Sequence, residues 1–295
     1  MHMLALYKRD TLSIHRRVKA PFSVLAERGH RFHFMQVQNF SGGLTFGADV
    51  TVLNNWMLGE EELQELASVR HQRTIVCDCS DPALLHHEAY RAQMQLAHLV
   101  TVPNEYFAKE ARIITSHVAV TPSCVDVDYL AVANRQPMPP KVTIGCFGPF
   151  DWYLIKEAII RVKEQHPHVI FLGGEHATKV LGEALVLSVD EIPTDYRMYL
   201  RACRFGILPL DGETPHDDIW KHEYGIMCRP TLSLHVAHAT ETDRWVAGIK
   251  RFLIDTERAN AGQAAYTEAN AYRPKRLADQ YLAVYRKKLP HLLML

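Results

Sequence analysis

The chain has 295 residues, 47% apolar and 22% charged, with 33 Lys and Arg matched by 33 Asp and Glu. Such a length suits about two domains, and the composition is that of a globular protein with material for sizeable cores. Zero net charge removes a global electrostatic case for nucleic acid, no apolar run nears the roughly 20 residues of a membrane span, and Met1 to Arg9 lacks a signal-peptide plan, so a cytoplasmic protein is expected.

In chain order, Met3 to Tyr7 reads as a strand, Val18 to Arg28 as a helix ended by Gly29, and Arg31 to Val37 as a second strand. Residues 1–35 hold Lys8, Arg9, Arg16, Arg17, Lys19, Arg28 and Arg31 against only Asp10 and Glu27. Two readings of that excess stand: a solvated helix face, or a surface that meets an anionic acceptor or a diphosphate. Val50 to Leu53 and Thr74 to Cys77 are short β-branched runs around a helix from Glu60 to Arg70. Leu99 to Val102 and Val118 to Val120 flank a helix from Asn104 to Ile114. This is the βαβ rhythm of a doubly wound parallel sheet. It pauses at Asn134 to Pro140, whose prolines and missing apolar face suit an interdomain linker.

The rhythm resumes with Val142 to Gly148, a strand ending in glycine, and a helix from Trp152 to His166. Strands at Val169 to Leu172 and Ala184 to Leu187 and a helix around Asp195 to Cys203 follow. Ile207 to Leu210 and Thr231 to Leu234 then bracket a loop and a helix with Glu223 at its start. In an open parallel sheet, ligands bind beyond the carboxyl ends of the strands, where helix N-termini face phosphate. A Glu there accepts two hydroxyl hydrogen bonds, as from a ribose; as plain scaffold it is a helix residue favoured by the dipole. Pro274 to Lys288 has helical apolar spacing at Leu277, Tyr281, Leu282 and Tyr285 and is expected to cross back to the first domain. The expected division is 1–138, 139–272 and a crossover helix in 273–295, with the default ligand site in a cleft between the two sheets' carboxyl edges.

Cys77, Cys79, Cys124, Cys146, Cys203 and Cys228 mostly sit in apolar contexts and read as reduced, buried thiols. Cys77-Asp78-Cys79 lacks zinc-site spacing, and the scattered histidines lack a helical i, i+4 metal pair, so no metal ligands are expected.

A run of segments in order resembles one family. Arg17-Val18-Lys19-Ala20-Pro21 leading to Leu25-Ala26-Glu27-Arg28-Gly29-His30 is similar to a first helix with an L-A-x-x-G-H ending. Ala48 to Val52, Val76 to Asp81, Thr101 to Tyr106 and Thr121 to Asp126 resemble its next strands and its V-S-T-E-Y-L and I-P-N-G-V-D segments. Ile144 to Gly148 looks like its glycine-bearing strand, and Glu223-Tyr224 to Pro230 like its E-Y-A-A-L-G-V-P element. On these motifs the chain resembles the retaining GT-B glycosyltransferases, closest to the family-4-like group of bacterial and phage nucleotide-sugar enzymes. The fold so implied is α/β, two Rossmann-like domains with doubly wound parallel sheets.

The resemblance implies a metal-independent transfer of a sugar from a nucleotide diphosphate sugar, a uridine diphosphate sugar among the candidates, with no further cofactor. Glu223 would bind the ribose hydroxyls, Gly148 would let the backbone approach the diphosphate, and Lys221 would neutralise the leaving phosphate. Arg17 would face the cleft and contact phosphate or acceptor, unless it serves the surface. Asp78 and Asp81 would position the acceptor hydroxyl or steady the sugar's positive charge, with capping of the next helix the favoured reading of Asp81. The sequence departs from the family at Pro215, where an acidic residue is usual and Glu213 is nearest, and at Pro149 to Trp152, where an Arg/Lys pair is usual. Asp126-Val127-Asp128 is read as a turn rather than a metal motif. The acceptor is a glycan, a small molecule or, in a phage-type alternative, a modified base in DNA. A non-catalytic nucleotide- or glycan-binding module is the reading from another class.

Overall fold

The computed structural model describes residues 1–125, 143–148, 150–189, 193–210, 219–234 and 241–289. The expected linker at 134–140, the 138/139 boundary, Asp126 to Asp128, Pro149, Glu213 and Pro215 lie outside them. The chain divides into two compact units, Met1–Cys124 with Arg273–Leu295, and Val125–Tyr272.

In the first unit, β1 (His2–Tyr7), β2 (Arg31–Gln36), β3 (Val50–Asn54), β4 (Thr74–Asp78), β5 (Leu99–Val102) and β6 (Val118–Val120) form a parallel sheet ordered β2-β1-β3-β4-β5-β6. Every residue of β3, β4 and β5 is buried, as expected of central parallel strands covered on both faces. Edge strand β2 instead leaves Arg31, His33 and Gln36 exposed along with Met35, and the charge and polarity of the first three discourage pairing with a further strand.

The helix predicted from Val18 begins earlier. Leu12–Ile14 runs through a π-helical segment, His15–Lys19, into Ala20–Glu27. Pro21 has no N–H and its ring crowds the carbonyl four residues back, and a widened turn just before it absorbs that conflict. Helices at Glu60–Val69 and Glu105–Ile114 stand where expected. The last helix, Pro274–Lys288, returns to this unit. Its Tyr281 and Tyr285 meet Phe22 edge to face, and Tyr281 Oη donates to the Pro122 carbonyl at 2.8 Å.

The second unit holds β7 (Thr143–Cys146), β8 (Ile170–Gly173), β9 (Val186–Ser188), β10 (Phe205–Pro209) and β11 (Thr231–Leu234), all parallel, ordered β11-β10-β7-β8-β9. Both units are therefore doubly wound α/β layers. Each order reverses once, between β1 and β3 in the first sheet and between β7 and β10 in the second. Such a reversal opens a crevice beyond the strands' carboxyl ends. The helix after β10, described as Ile219–Ile226, packs on the Asp255–Ala269 helix at very short range. A Cβ on Gly225 would lie 2.6 Å from the Ala265 carbonyl oxygen, and one on Gly262 would lie 2.3 Å from that of Cys228.

Candidate functional site

In the second unit, Gly148 follows β7 with φ +106°, a conformation that favours glycine. A Cβ there would come within 2.5 Å of the Phe150 ring, and the Gly148 carbonyl accepts from Trp152 Nε1 at 3.1 Å. The glycine thus closes a turn whose Cβ space is filled by a buried aromatic pair. Glu223 lies across the reversal, in the helix after β10. Counted from Ile219 it sits one turn inside the helix rather than at its start, and it is 4% exposed.

Its neighbour Tyr224 explains the burial. Gly145 of β7 and Gly206 of β10 are register partners. A Cβ on Gly145 would fall 1.8 Å from Tyr224 Oη, and one on Gly206 would fall 2.5 Å from Tyr224 Cε2. The ring therefore lies flat in a gap made by the two missing Cβ atoms, directly over the reversal of strand order. On the other side of the helix, His222 stacks on Tyr272 at 3.6 Å.

Lys221 does not join Glu223. Two positions apart on a helix point about 200° apart, and Lys221 Nζ forms a partly exposed ion pair with Glu268 at 2.8 Å. The leaving-phosphate role expected for Lys221 has no geometric support from this placement.

In the first unit, Arg17 and Asp78 come together, but in the interior. Arg17 is 1% exposed and Asp78 is 3% exposed, so the guanidinium is not presented to ligand as expected. Nε donates to both Asp78 carboxylate oxygens at 3.0 Å, Nη2 to Oδ1 at 2.5 Å and to Thr121 Oγ1 at 3.0 Å, and Nη1 to the Thr121 carbonyl at 2.7 Å and Ser123 Oγ at 3.4 Å. All its N–H groups are committed. Asp78 also accepts from Thr101 Oγ1 at 2.7 Å and Asn54 Nδ2 at 2.6 Å. Asp81 caps the short Pro82–Leu85 helix, accepting from the Ala83 amide at 3.0 Å.

Three polar residues absent from the expected set crown this buried pair. Asn55, just past β3, has φ +43°, which Asn tolerates better than most residues. Its Nδ2 donates to Ser13 Oγ and Ser80 Oγ, both at 2.9 Å, and Ser80 N–H donates to its Oδ1 at 2.8 Å. Lone Ser and Asn residues in loops carry no periodic signal, so sequence reasoning passed over them. The basic excess of residues 1–35 is not one surface either: Arg16 and Arg17 are buried, Lys19 pairs with Asp10, and Arg28 with Asp279. Among the described residues, no His/Cys/Asp/Glu cluster could hold a metal, and no helix is long and apolar enough to cross a membrane.

The sequence matches no protein-family model and no curated protein. Solved structures do match. Sucrose-phosphate synthase from Thermosynechococcus elongatus superposes with a TM-score of 0.68 at 12% identity, over 99% of this chain and 100% of that one. The fold is GT-B. AviGT4, a glycosyltransferase involved in avilamycin A biosynthesis, gives 0.56 at 12% identity over 98% of both chains. A UDP-N-acetylglucosamine 2-epimerase gives 0.57 at 11% identity, over 100% of this chain and 97% of that one.

Proposed function

We propose that the protein is a glycosyltransferase that moves a sugar from a nucleotide diphosphate sugar to an acceptor hydroxyl, with retention at the anomeric carbon and without a metal. The observation that carries this reading is Glu223, a buried carboxylate in the helix after β10, at the strand-order reversal of a GT-B second domain. Proteins of this fold named as sucrose-phosphate synthase, glycosyltransferase and UDP-sugar epimerase support a nucleotide-sugar ligand, and one transferase match, TarM, has UDP bound.

In this reading Glu223 accepts the ribose hydroxyls, and the Tyr224 ring seated on Gly145 and Gly206 holds the helix that presents it. The turn at Gly148 sets the backbone beside the diphosphate. The bond from the anomeric carbon to the diphosphate oxygen breaks, the acceptor oxygen bonds to that carbon from the same face, and the acceptor proton passes to the departing diphosphate oxygen. Lys221, paired at the surface, serves the fold, as do Arg17 and Asp78 inside the first domain and Asp81 as a helix cap. A modified DNA base as acceptor gains no support from the divided basic excess, and a glycan or small molecule is the preferred acceptor class.

Thermal shifts with UDP, GDP, ADP and their sugar conjugates test this directly, because selective binding raises the melting temperature by mass action. At least one nucleotide should stabilise the wild type. Glu223→Ala should abolish that shift while the unliganded protein stays folded; full shift in the variant overturns the ribose assignment. Nucleoside diphosphate release from the bound donor marks a transferase. Binding without release marks a non-catalytic module, and inversion of a sugar carbon without release marks an epimerase.

A further inference from the structure

The hydrogen-bond arithmetic around Ser80 leads to a ligand subsite on the first domain. Two side-chain orientations are forced. Asn54 must turn its Nδ2 to the Asp78 carboxylate, and Asn55 must turn its Oδ1 to the Ser80 amide, since neither partner can serve the opposite group. Ser13 Oγ then accepts from Asn54 Nδ2 at 3.3 Å and from Asn55 Nδ2 at 2.9 Å, which uses both of its lone pairs. In its 2.8 Å contact with Ser80 Oγ it can only donate. Ser80 Oγ accepts that proton and one from Asn55 Nδ2, so it too is full as an acceptor.

Its own hydroxyl proton is left, and no described residue accepts it. Asn55 Oδ1 likewise keeps one lone pair after accepting from the Ser80 amide. The cluster is wired at its base to the buried Arg17–Asp78 pair through Asn54. Chains of this kind polarise along their length and fix the hydroxyl rotors. The outcome is one directed donor and one adjacent acceptor on half-buried side chains, at the carboxyl ends of β3 and β4 beside the strand-order reversal between β1 and β3. That crevice is where open α/β sheets take their ligands.

We propose that Ser80 Oγ–H and Asn55 Oδ1 form a hydroxyl-binding subsite, and that the ligand is a polyol or sugar whose adjacent hydroxyls accept from the first and donate to the second. The proposal rests on the sugar-transfer reading and names where the acceptor of that reaction is held. A carboxylate or phosphate would meet the Asn55 oxygen unfavourably, so the subsite selects neutral hydroxyls over anions.

Saturation-transfer NMR with myo-inositol and a set of methyl hexosides tests it on the full chain. Ring protons of at least one of these should saturate with the wild type and with Ser80→Thr, which keeps the hydroxyl. Affinity should fall roughly three- to tenfold in Ser80→Ala, the worth of one neutral hydrogen bond. Asn55→Gly, which tolerates the positive φ, should weaken binding similarly. Equal binding by wild type and both variants overturns the subsite. So does the absence of any polyol signal while a nucleotide still raises the melting temperature, an outcome that leaves Glu223 as the ribose ligand intact. Polyol binding lost in Ser80→Ala, with no nucleotide shift, supports the subsite and removes the donor assignment instead.

Discussion

The two strand-order reversals solve one problem in opposite ways. Each must hold loops rigidly at the carboxyl edge of a parallel sheet, where backbone groups are no longer paired with a neighbouring strand. The first domain uses polarity: the Arg17–Asp78 pair, 1% and 3% exposed, anchors Asn54, Thr101 and Thr121 and through them Ser13, Asn55 and Ser80. The second uses shape: Gly145 and Gly206 give up their side chains so that Tyr224 can lie on the strands. A polar network orients hydroxyls and amides, so it suits recognition of a hydroxyl-bearing ligand. An aromatic ring in a glycine gap fixes only position, so it suits presentation of the next residue, Glu223.

The sharpest way to break this contrast is in the polar half. Asp78→Ala removes the carboxylate that pairs with the buried Arg17 guanidinium, and a loss of about 3–5 kcal/mol in urea unfolding is expected. Replacing both members by apolar residues of similar volume should recover much of it. A loss for Asp78→Ala within the roughly 0.5 kcal/mol of a surface substitution would remove the pair from its anchoring role.

In the shape-based half the corresponding change is Gly145→Ala, expected to cost about 1–3 kcal/mol through overpacking against Tyr224. The cost should shrink in a Tyr224→Phe background, because the hydroxyl oxygen is the atom 1.8 Å from the new Cβ. A double-mutant cycle measures that coupling, and strict additivity would mean that the ring is not what fills the gap.

A smaller effect, of opposite sign, lies at the end of the Glu223 helix. Arg229 N–H bonds the Tyr224 carbonyl and Cys228 N–H that of Gly225, with Cys228 at φ +55°, which is the Schellman termination with a non-glycine residue in the left-handed position. Cys228→Gly should raise stability by about 1 kcal/mol. No rise in melting temperature would count against that reading of the helix end.

The smallest perturbation compares thiols in both domains. Burial pushes the Cys77 and Cys203 thiols up to about 12, and Cys79 and Cys146 are raised by the same cause. Brief iodoacetamide treatment near neutral pH should therefore modify the exposed Cys228 alone. Modification of Cys77 or Cys203 in folded protein would show that one of these cores opens readily.

Much of the architecture was legible in the chain because central parallel strands are buried on both faces and read as continuous β-branched runs. Val50–Asn54, Thr74–Asp78 and Leu99–Val102 are of this kind. Asp255–Ala269 was not, since its close packing on the Glu223 helix runs through Gly262, Ala265 and Ala269 rather than through large apolar residues at helical spacing. Among the candidate residues, Glu223 is buried one turn inside its helix rather than at the start expected of it, and the cap at Asp81 is the favoured reading of that residue. Arg17 and Lys221 could not be placed from sequence, because a cation's surroundings depend on which distant carboxylate reaches it: Asp78 in the interior for one, Glu268 at the surface for the other.

Local chemistry, carried residue by residue, determined that this protein is two doubly wound α/β layers with a returning C-terminal helix. Strand runs, glycine-ended strands and helical spacing depend only on near neighbours and so survive in the linear text. Tertiary structure alone decided which polar groups are spent inside the fold and which remain to meet a ligand. That balance is a count of donors and acceptors drawn from strands and loops far apart in the chain, and Ser80 shows it: its free proton follows from Ser13, Asn54, Asn55 and Asp78 meeting at one point.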